Sequence, residues 1–419
     1  MMRSGLILAL LLTPLTCLAG ERQVPAETGA LATALEQAED GDILRLAPGV
    51  HAGNFTVDRP LTIEGQGTAT IEGTGRGSVI TVAAQDVTLR GLTIKGSGSS
   101  HETIDAGVSL GKEAGGAVVE NNRIIGNLYG VDIHGAENSR VANNVIVGRQ
   151  DHRVNDRGNG VYVWNAPGAV VDGNDIRWGR DGIFVNTSKN NRFTNNRFRD
   201  LRFAVHYMYA NDSEVSGNIS IGNDLGYAVM FSKRVKVTDN ISVGDAEHGI
   251  MLNYANQSEV RGNLIRDGKN RCVFLYNAHK NKIEDNRFER CAIGIHFTAG
   301  SERNDIAGNA FIGNRTQVKY VGSRWVDWSA GGRGNHWSDF AAYDINGDGV
   351  ADAPYRPNDR MDHILWTQPS AKLLLGAPAV QLVRWAQSSF PALLPGGVID
   401  SRPLMRPVEI EIPEFGDPS

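Results

Sequence analysis

The sequence predicts an all-β protein, a right-handed parallel β-helix with three short strands in each turn. Nine asparagines recur at intervals of 22 or 23 residues, with one interval of 30, from Asn122 to Asn309. Apolar residues keep fixed positions around each of them and alternate with polar residues, which is the pattern of strands with one buried face. A 22-residue repeat is too short for a pair of helices and fits one turn of a coil of short strands.

The repeated asparagines are expected to mark corners of this coil. Asparagine and glycine tolerate the left-handed backbone conformation that sharp corners require, and a buried asparagine can hydrogen-bond to stacked neighbours. The 49 glycines among 419 residues agree with many such corners. We therefore predict a structural asparagine ladder rather than a catalytic one. Its members are Asn122, Asn144, Asn174, Asn196, Asn218, Asn240, Asn263, Asn286 and Asn309.

The segments before the repeats predict export and a capped coil. Residues 1–19 carry Arg3, then an apolar stretch and small residues up to Ala19, which is the pattern of a secretory signal peptide. Residues 20–325 are predicted to form the β-helix. Within Gly29–Glu39, the helical spacing of Leu31 and Leu35 predicts a helix that covers the open end of the coil.

Residues 326–370 differ from the repeats and contain tryptophans, glycines and an aspartate-rich loop. Oxygen-bearing residues at its first, third, fifth and ninth positions, with glycine at the sixth, match the first part of a calcium-binding loop. The alternative is an Asx-rich turn without a metal, because Tyr355 stands where the usual bidentate glutamate would be. We expect a structural Ca²⁺ ion. Its predicted ligands are Asp344, Asn346, Asp348, Val350 (through its carbonyl) and Asp352.

Residues 371–419 predict an irregular, partly helical tail. The apolar stretch from Lys372 to Phe390 is interrupted by Pro378 and is too short to span a membrane. The tail is expected either to cap the last turn of the coil or to dock on a membrane partner.

Two cysteines remain after removal of the predicted signal peptide, Cys272 and Cys291. In an exported protein, such a pair can form one disulfide bond. Two inert buried thiols fit the sequence equally well, so both alternatives stay open.

Charge and surface pattern point to protein partners rather than nucleic acid. The chain has 42 Lys and Arg against 47 Asp and Glu, a formal net charge of -5, which lacks a basic nucleic-acid footprint. One outward row of side chains is aromatic and rich in histidine over eight turns, and such a face normally meets a partner. The residues of this aromatic ribbon are His134, Tyr162, Trp164, Phe184, Phe274, Tyr276 and His296.

The centre of the same face predicts a copper site. His206, Met208, Met230 and Met251 occupy neighbouring columns on three successive turns, where side chains on one face approach each other closely. Thioether and imidazole groups are soft ligands that favour Cu(I) over harder cations. The alternative is that these methionines are adaptable interface residues without a metal. We name these four residues the copper patch and expect transient Cu(I) binding there.

Several segments resemble the periplasmic copper-binding NosD proteins. The resemblance implies a periplasmic accessory protein, not an enzyme, that binds copper while the copper centres of nitrous oxide reductase are assembled. It also implies three partners: an inner-membrane ABC transporter, a copper chaperone and the reductase itself. The segments that carry the resemblance are Gly41–Gly49, Pro60–Gly65, Val87–Leu92, the asparagine ladder, and Gly334–Phe340 with the aspartate-rich loop that follows.

The competing interpretation is a carbohydrate-active or carbohydrate-binding β-helix of the polysaccharide lyase or epimerase type. Such enzymes need carboxylates and a basic residue on one exposed face. The outward positions recognised in the repeats hold one carboxylate, Asp132, and no lysine or arginine. The sequence therefore favours a binding protein, and aromatic side chains keep a carbohydrate-binding module as the alternative.

Overall fold

Two three-residue strands and one longer strand make up most turns of the coil, as the 22-residue repeat predicts. The computed structural model describes residues 20–151, 153–298, 300–322, 324–358, 370, 376–389 and 397–411. Successive turns pair in parallel, so that equivalent residues stack directly above one another. The chain is a parallel β-helix, which confirms the predicted fold class. The predicted signal peptide lies outside the described residues.

The strands fall into three columns. The first short strands are Val118–Glu120, Arg140–Ala142, Val170–Asp172, Arg192–Thr194, Glu214–Ser216, Lys236–Thr238, Glu259–Arg261, Lys282–Glu284 and Asp305–Ala307. The second short strands are Arg123–Ile125, Val145–Val147, Asp175–Arg177, Arg197–Arg199, Ile219–Ile221, Ile241–Val243, Leu264–Arg266, Arg287–Glu289, Ala310–Ile312 and His336–Trp337. The long-strand sheet contains Phe55–Val57, Ile80–Val82, Ala106–Leu110, Tyr129–His134, Val161–Trp164, Asp181–Asn186, Phe203–Met208, Leu225–Met230, His248–Asn253, Arg271–Tyr276, Ile293–Thr298 and Thr316–Val321.

The N-terminal turns are looser and are covered by the predicted helix. Helix α1 spans Ala30–Gln37 and buries Leu31 and Leu35 against the first turns, which confirms the predicted cap. A short 3-10 helix, Val154–Asp156, lies in the long insertion that produces the single 30-residue interval. The strands of the N-terminal turns, in addition to those already given for the long-strand sheet, are Glu21–Val24, Ile43–Leu46, Gly49–Ala52, Thr62–Glu72 and Thr88–Lys95.

The asparagine ladder lies at the corner between the two short strands. The Asn240 side-chain oxygen accepts hydrogen bonds from the backbone and side-chain amides of Asn218, both at 3.0 Å. Its side-chain nitrogen donates to Asn263 Oδ1 and to the Val215 carbonyl. The ladder continues past its last predicted member to Asn335. Because each buried amide is satisfied by its neighbours, the ladder has the predicted structural role.

The left-handed backbone conformation lies one residue before each ladder asparagine, not on it. The φ angle is 54° at Asn143, 56° at Asn195 and 64° at Gly217. The ladder asparagine directs its side chain into the coil and its N–H to the next ladder oxygen, so the preceding residue makes the sharp turn. Asparagine and glycine are common there because they tolerate this conformation.

Tryptophans and the returning tail close the C-terminal end of the coil. Trp328 and Trp337 are buried, and the Trp337 ring stacks on Phe311 with centroids 4.4 Å apart. Asp400 accepts hydrogen bonds from Trp337 Nε1 at 2.8 Å and from the Asn335 amide at 2.7 Å. Strand Gly397–Ile399, just before Asp400, pairs with Trp325–Asp327. Coil contacts therefore continue beyond residue 325, and the predicted domain boundary there stays a prediction.

The partly helical tail contains one helix, α2, spanning Pro378–Ser389. Leu382 and Trp385 on this helix are largely exposed. Within the described residues, no helix is both long and apolar enough to cross a bilayer. Whether the tail docks on a membrane partner stays a prediction.

Cys272 and Cys291 form a disulfide bond, which resolves the alternatives left open by the sequence. Their Cα atoms lie 5.7 Å apart, and both residues are buried. Cys272 lies in a long strand and Cys291 between the following second short strand and long strand. The bond therefore connects two successive turns of the coil.

Candidate functional site

The outward face of the long-strand sheet carries three columns of side chains, one more than the sequence analysis recognised. The two predicted columns contain the copper patch and the aromatic ribbon. In each repeat a small residue, for example Gly182 or Ala204, stands near the start of the long strand, and we call it the landmark. Except in the repeat of Gly160, the third column holds the residue just before the landmark, and this fixed offset was the signal that was missed. Its members are Tyr129, Asp181, Phe203, Leu225, His248, Arg271 and Ile293. The sequence-based count of one carboxylate and no lysine or arginine therefore applies to the two recognised columns only, and the third column adds Asp181 and Arg271 to this face.

His206 is held by a carboxylate from this third column. Its Nδ1 atom lies 3.1 Å from Asp181 Oδ2. Arg202 donates two hydrogen bonds to the same carboxylate, at 2.9 and 2.8 Å. The rings of Phe184 and Phe203 lie 4.8 and 4.5 Å from the imidazole, centroid to centroid. These contacts fix the orientation of the ring and bury it.

The second ring nitrogen of His206 meets no hydrogen-bond partner in the part of the chain that the structure describes. Burial alone would raise the pKa of Asp181, but hydrogen bonds from His206 and Arg202 outweigh it and hold that pKa below its ordinary value. The ionised carboxylate can only accept a hydrogen bond, so Nδ1–H donates to it, and Nε2 of an imidazole with this tautomer carries a lone pair. His206 Nε2 is buried and has no hydrogen-bond partner among the described residues. A carboxylate on one ring nitrogen and a free lone pair on the other is the usual arrangement of a metal-binding histidine.

The methionines of the copper patch follow on the neighbouring strands. Met208 is paired directly with Met230 on the next turn. Ala228 separates His206 from Met251 in the same column, so these two residues lie two turns apart. Within the described part of the chain, no three His, Cys, Asp or Glu side chains are arranged to hold a metal. A copper site at this face would therefore need thioether groups as ligands.

The aromatic ribbon lies on both sides of the copper patch. On one side, the Tyr162 and Phe184 rings stack at 5.4 Å, and the His134 and Trp164 rings stack at 4.2 Å. On the other side, Phe274 lies 5.0 Å from His296 and 6.3 Å from Tyr276. Among these predicted residues, Tyr276 is exposed and the others are partly buried against each other.

A second aromatic feature was missed by the sequence analysis. Tyr209, Phe231 and Tyr254 lie at the corner just after the long strands, 53%, 37% and 42% exposed. Successive rings stack at 5.2 and 5.1 Å. All three have left-handed backbones, with φ between 50° and 54°, which is unusual for bulky residues. We call them the corner stack; their shared offset, five residues after the landmark, was the available signal.

Asp132, the carboxylate recognised in the outward columns, lies in an apolar environment. Burial raises its pKa from the ordinary 3.8 to about 7. Ser109 makes a long contact of 3.5 Å with one oxygen, while the other oxygen is buried without a partner among the described residues. This group is therefore largely protonated in mildly acidic solution.

The aspartate-rich loop is folded around its own backbone. Asp344 accepts hydrogen bonds from the amides of Gly347 and Gly349, at 2.7 and 2.8 Å. Asp352 accepts from the Ile345 amide at 2.7 Å, and Asp348 accepts from the Val350 amide at 2.9 Å. These are the contacts of an Asx-rich turn, and they leave some oxygen lone pairs free.

Comparison of the coil with solved structures shows its fold class. The mannuronan C-5 epimerase A-module of Azotobacter vinelandii superposes with a TM-score of 0.60 and 16% identity, covering 70% of this chain and 91% of that one. An exopolygalacturonase from Thermotoga maritima gives a TM-score of 0.53 and 11% identity, covering 72% and 92%. At such low identity, these similarities concern the fold alone.

Comparison of sequences shows the family. The profile of the family described as periplasmic copper-binding protein (NosD) matches residues 143–342. A protein of Pseudomonas aeruginosa named probable ABC transporter binding protein NosD is 41% identical over 90% of this chain and 93% of its own. A protein of the same name from Stutzerimonas stutzeri is 39% identical over 90% and 89%. The prediction of a binding protein rather than an enzyme agrees with these relatives, and the chain belongs to the NosD family of periplasmic copper-binding proteins.

Proposed function

We propose that this protein is a periplasmic scaffold that binds copper and partner proteins during assembly of the copper centres of nitrous oxide reductase. The observation that carries the copper part is the buried, unpartnered Nε2 of His206, whose other nitrogen faces Asp181. Met208 on the same strand, Met230 on the next turn and Met251 two turns away would supply the soft thioether donors. Cu(I) binds such donors well, and partly exposed methionines suit transient binding and release.

Replacement of the thioethers tests this proposal. Met208→Leu and Met230→Leu keep the volume of the side chains and remove the sulfur ligands. We expect the double variant to bind Cu(I) at least about tenfold more weakly in competition with a chromophoric Cu(I) chelator, since each lost ligand costs binding free energy. Met405→Leu, in the C-terminal segment, is the matched control. Unchanged Cu(I) affinity in the double variant would contradict the site and favour methionines that serve only as interface residues.

We propose that the aromatic ribbon and the corner stack bind the partners. The supporting observations are a row of rings along one face and three exposed rings held at a strained corner. Two relatives are named as ABC transporter binding proteins, which supports an ABC transporter as one partner. A copper chaperone and nitrous oxide reductase complete the proposed set.

Purification from native membranes tests the partners. The tagged protein should retain subunits of an ABC transporter, and metal analysis of the eluted complex should detect copper. A Tyr276→Ser variant removes one exposed ring and should retain less of the complex. Tyr343→Ser, at an exposed ring outside the ribbon, is the control. Equal capture by both variants would argue against the ribbon as the binding surface.

Structural calcium binding by Asp344, Asn346, Asp348, Val350 and Asp352 remains part of the proposal. The supporting observation is the clustering of their side chains in one loop, where further oxygen lone pairs are available. Calcium should raise the midpoint of thermal unfolding of the wild-type protein, and Asp348→Asn should reduce that effect. An equal midpoint with Ca²⁺ and with a chelator would remove calcium from the proposal.

A further inference from the structure

Four basic side chains meet at the C-terminal end of the long-strand sheet, outside the copper patch. His248 is paired with Arg271 on the next turn, and His296 is paired with Lys319. Arg271 Nη1 lies 3.5 Å from both ring nitrogens of His248. The Arg271 guanidinium lies over the Phe274 ring, 5.0 Å from its centroid, and that ring is also 5.0 Å from His296. We call these four residues the basic cluster.

Beyond the long contact between Arg271 Nη1 and His248, two buried nitrogen atoms of this cluster have no partner among the described residues. Arg271 Nε and His296 Nδ1 are buried and have no hydrogen-bond partner among the described residues. Among the residues that the structure describes, no acidic side chain lies within 4.0 Å of Arg271 or of Lys319 to form an ion pair. The acidic group that acts electrostatically on Arg271 is Glu247, which is exposed and accepts a hydrogen bond from Asn270 at 3.0 Å. The described residues therefore provide no ion-pair partner for the positive charge of Arg271 or of Lys319.

Burial without counter-charges weakens protonation of the whole cluster. Burial and the neighbouring positive charges lower the pKa of His248 to about 4 and that of His296 to about 3. Burial, and then the charge of Arg271, lower the pKa of Lys319. Like charges held together in this way are destabilising unless an anion compensates them. Two fixed positive charges also disfavour a metal cation at this place.

We propose that the basic cluster is a binding site for a carboxylate. The planar fork of Arg271 matches the two oxygens of a carboxylate, and Lys319 and the imidazole N–H groups provide further donors. Phe274 and Ile293, beside the donors, form an apolar surround that suits the hydrocarbon stem of the ligand. The same chemistry is offered by an acidic side chain of a protein docked on the ribbon and by a free organic acid. The site is separate from the copper patch and does not depend on copper binding.

Calorimetric titration of the full mature protein at low ionic strength tests the proposal. The probes are succinate, an acetylated and amidated (Glu-Ala)3 peptide, and the uncharged (Gln-Ala)3 peptide. We expect binding of at least one acidic probe, no binding of the neutral peptide, and at least about tenfold weaker binding in Arg271→Gln and Lys319→Met. Arg261→Gln and Lys282→Met, on the first short strands, are matched controls that should keep wild-type affinity.

The two acidic probes distinguish the source of the carboxylate. Much tighter binding of the peptide supports an acidic side chain of a partner protein, and equal or tighter binding of succinate supports a free acid. Binding that is unchanged in Arg271→Gln and Lys319→Met overturns the proposal, and so does failure of both acidic probes to bind. Nuclear magnetic resonance of the wild-type imidazoles provides a readout that does not depend on variant folding. Saturating acidic probe should shift the His296 ring signals, and unshifted signals overturn the site.

Discussion

The outward faces of the short strands and of the long-strand sheet differ in how their charges are compensated. On the short strands, charged side chains form ion pairs between successive turns. Arg140 lies 3.4 Å from Asp172 and Arg199 lies 3.3 Å from Asp175, while Arg261 pairs with Glu284. On the long-strand sheet, neither Arg271 nor Lys319 has an ion-pair partner among the described residues, His206 Nε2 and His296 Nδ1 are buried without a hydrogen-bond partner there, and aromatic rings are exposed.

This difference indicates that the short-strand face is inert and that the long-strand face of the same coil binds other molecules. An exposed ion pair contributes little to stability, but it leaves each charge compensated and the surface inert. Buried polar atoms without a partner occur on both faces, but at Arg199 and Asp175 on the short strands they belong to groups whose charges are already paired, whereas Arg271 has no such pair among the described residues. His206 Nε2 and Arg271 Nε both belong to the long-strand face, which we interpret as the binding face.

The largest effect is expected at Asp132, which tests whether uncompensated groups on this face destabilise the fold. In the folded protein, its pKa is raised from 3.8 to about 7. Between about pH 4 and pH 7 only the unfolded state ionises, so the free energy of unfolding of the wild type falls as the pH rises through this range. Asp132→Asn should therefore be more stable than wild type at pH 8, by up to about 4 kcal/mol, with a smaller difference at pH 4. Urea unfolding at both pH values measures this.

Asp172 on the short-strand face is the matched control for Asp132. Burial raises its pKa, but hydrogen bonds from Thr194, Asn195 and Arg140, with the charge of Arg140, together lower it below the ordinary value. A lowered pKa stabilises the fold above the unfolded pKa, so Asp172→Asn should destabilise at pH 8. If both substitutions changed the free energy of unfolding at pH 8 in the same direction, the proposed difference between the faces would be contradicted.

The next effect concerns the ladder on which both faces depend. Asn240→Leu leaves the buried Asn218 amide without its acceptor and removes a donor from the Val215 carbonyl. Unfolding free energy should fall by about 3 kcal/mol, because each unsatisfied buried group costs about 1–3 kcal/mol. Chemical denaturation measures the change. Thr238→Ala, outward on the same turn, should change stability by less than about 0.5 kcal/mol; a similar loss in both variants would argue against the ladder.

A smaller effect, on Cu(I) affinity, is expected at Asp181, which orients His206 but is not one of the predicted copper ligands. Asp181→Asn should reduce Cu(I) affinity by about 10–100-fold, since losing the partner of a metal-binding histidine typically costs that much. The chelator competition used for the methionine variants measures it. Asp175→Asn, from an ion pair on the short-strand face, should keep wild-type affinity. Equal losses would indicate a general effect of charge rather than orientation of the imidazole.

The smallest effect on stability is expected in the corner stack. Phe231→Asn removes an exposed ring and places a residue that tolerates the left-handed backbone, so stability should change by less than about 1 kcal/mol. Capture of the membrane complex should nevertheless decrease. Asn190→Ala, at an exposed left-handed corner that bears no ring, should not alter capture. A large loss of stability in Phe231→Asn would show that the ring has a structural role.

Local pattern was sufficient for much of the fold. The period, the buried columns and the cap around Leu31 and Leu35 follow from hydrophobic spacing, which is a property of the chain itself. The prediction placed the left-handed corners one residue too late, at Asn144 rather than at Asn143. Asparagine and glycine, which both tolerate this conformation, occur at either position, so residue type alone does not locate the corner. The bond between Cys272 and Cys291 stayed open, because their spacing alone does not place them on facing positions of adjacent turns.

The candidate site was only partly predictable. The copper patch could be proposed from the sequence because its four members share columns that the repeat makes visible. The partners of His206 were missed: Asp181 and His206 lie 25 residues apart, on adjacent strands and in different columns. The basic cluster was missed for the same reason, because Arg271 belongs to the unrecognised column and Lys319 follows the last predicted turn.

The sequence by itself determined the coil, its period and two of the three outward columns of its long strands, because stacking identical turns requires the same residue type at the same offset. Tertiary structure decided which of those outward side chains find partners. Orientation of His206 by Asp181, the missing acceptors around Arg271 and the exposure of Phe231 depend on contacts between turns. Such contacts arise only when the coil is wound, because residues about 22 positions apart then lie one strand spacing, about 4.8 Å, from each other.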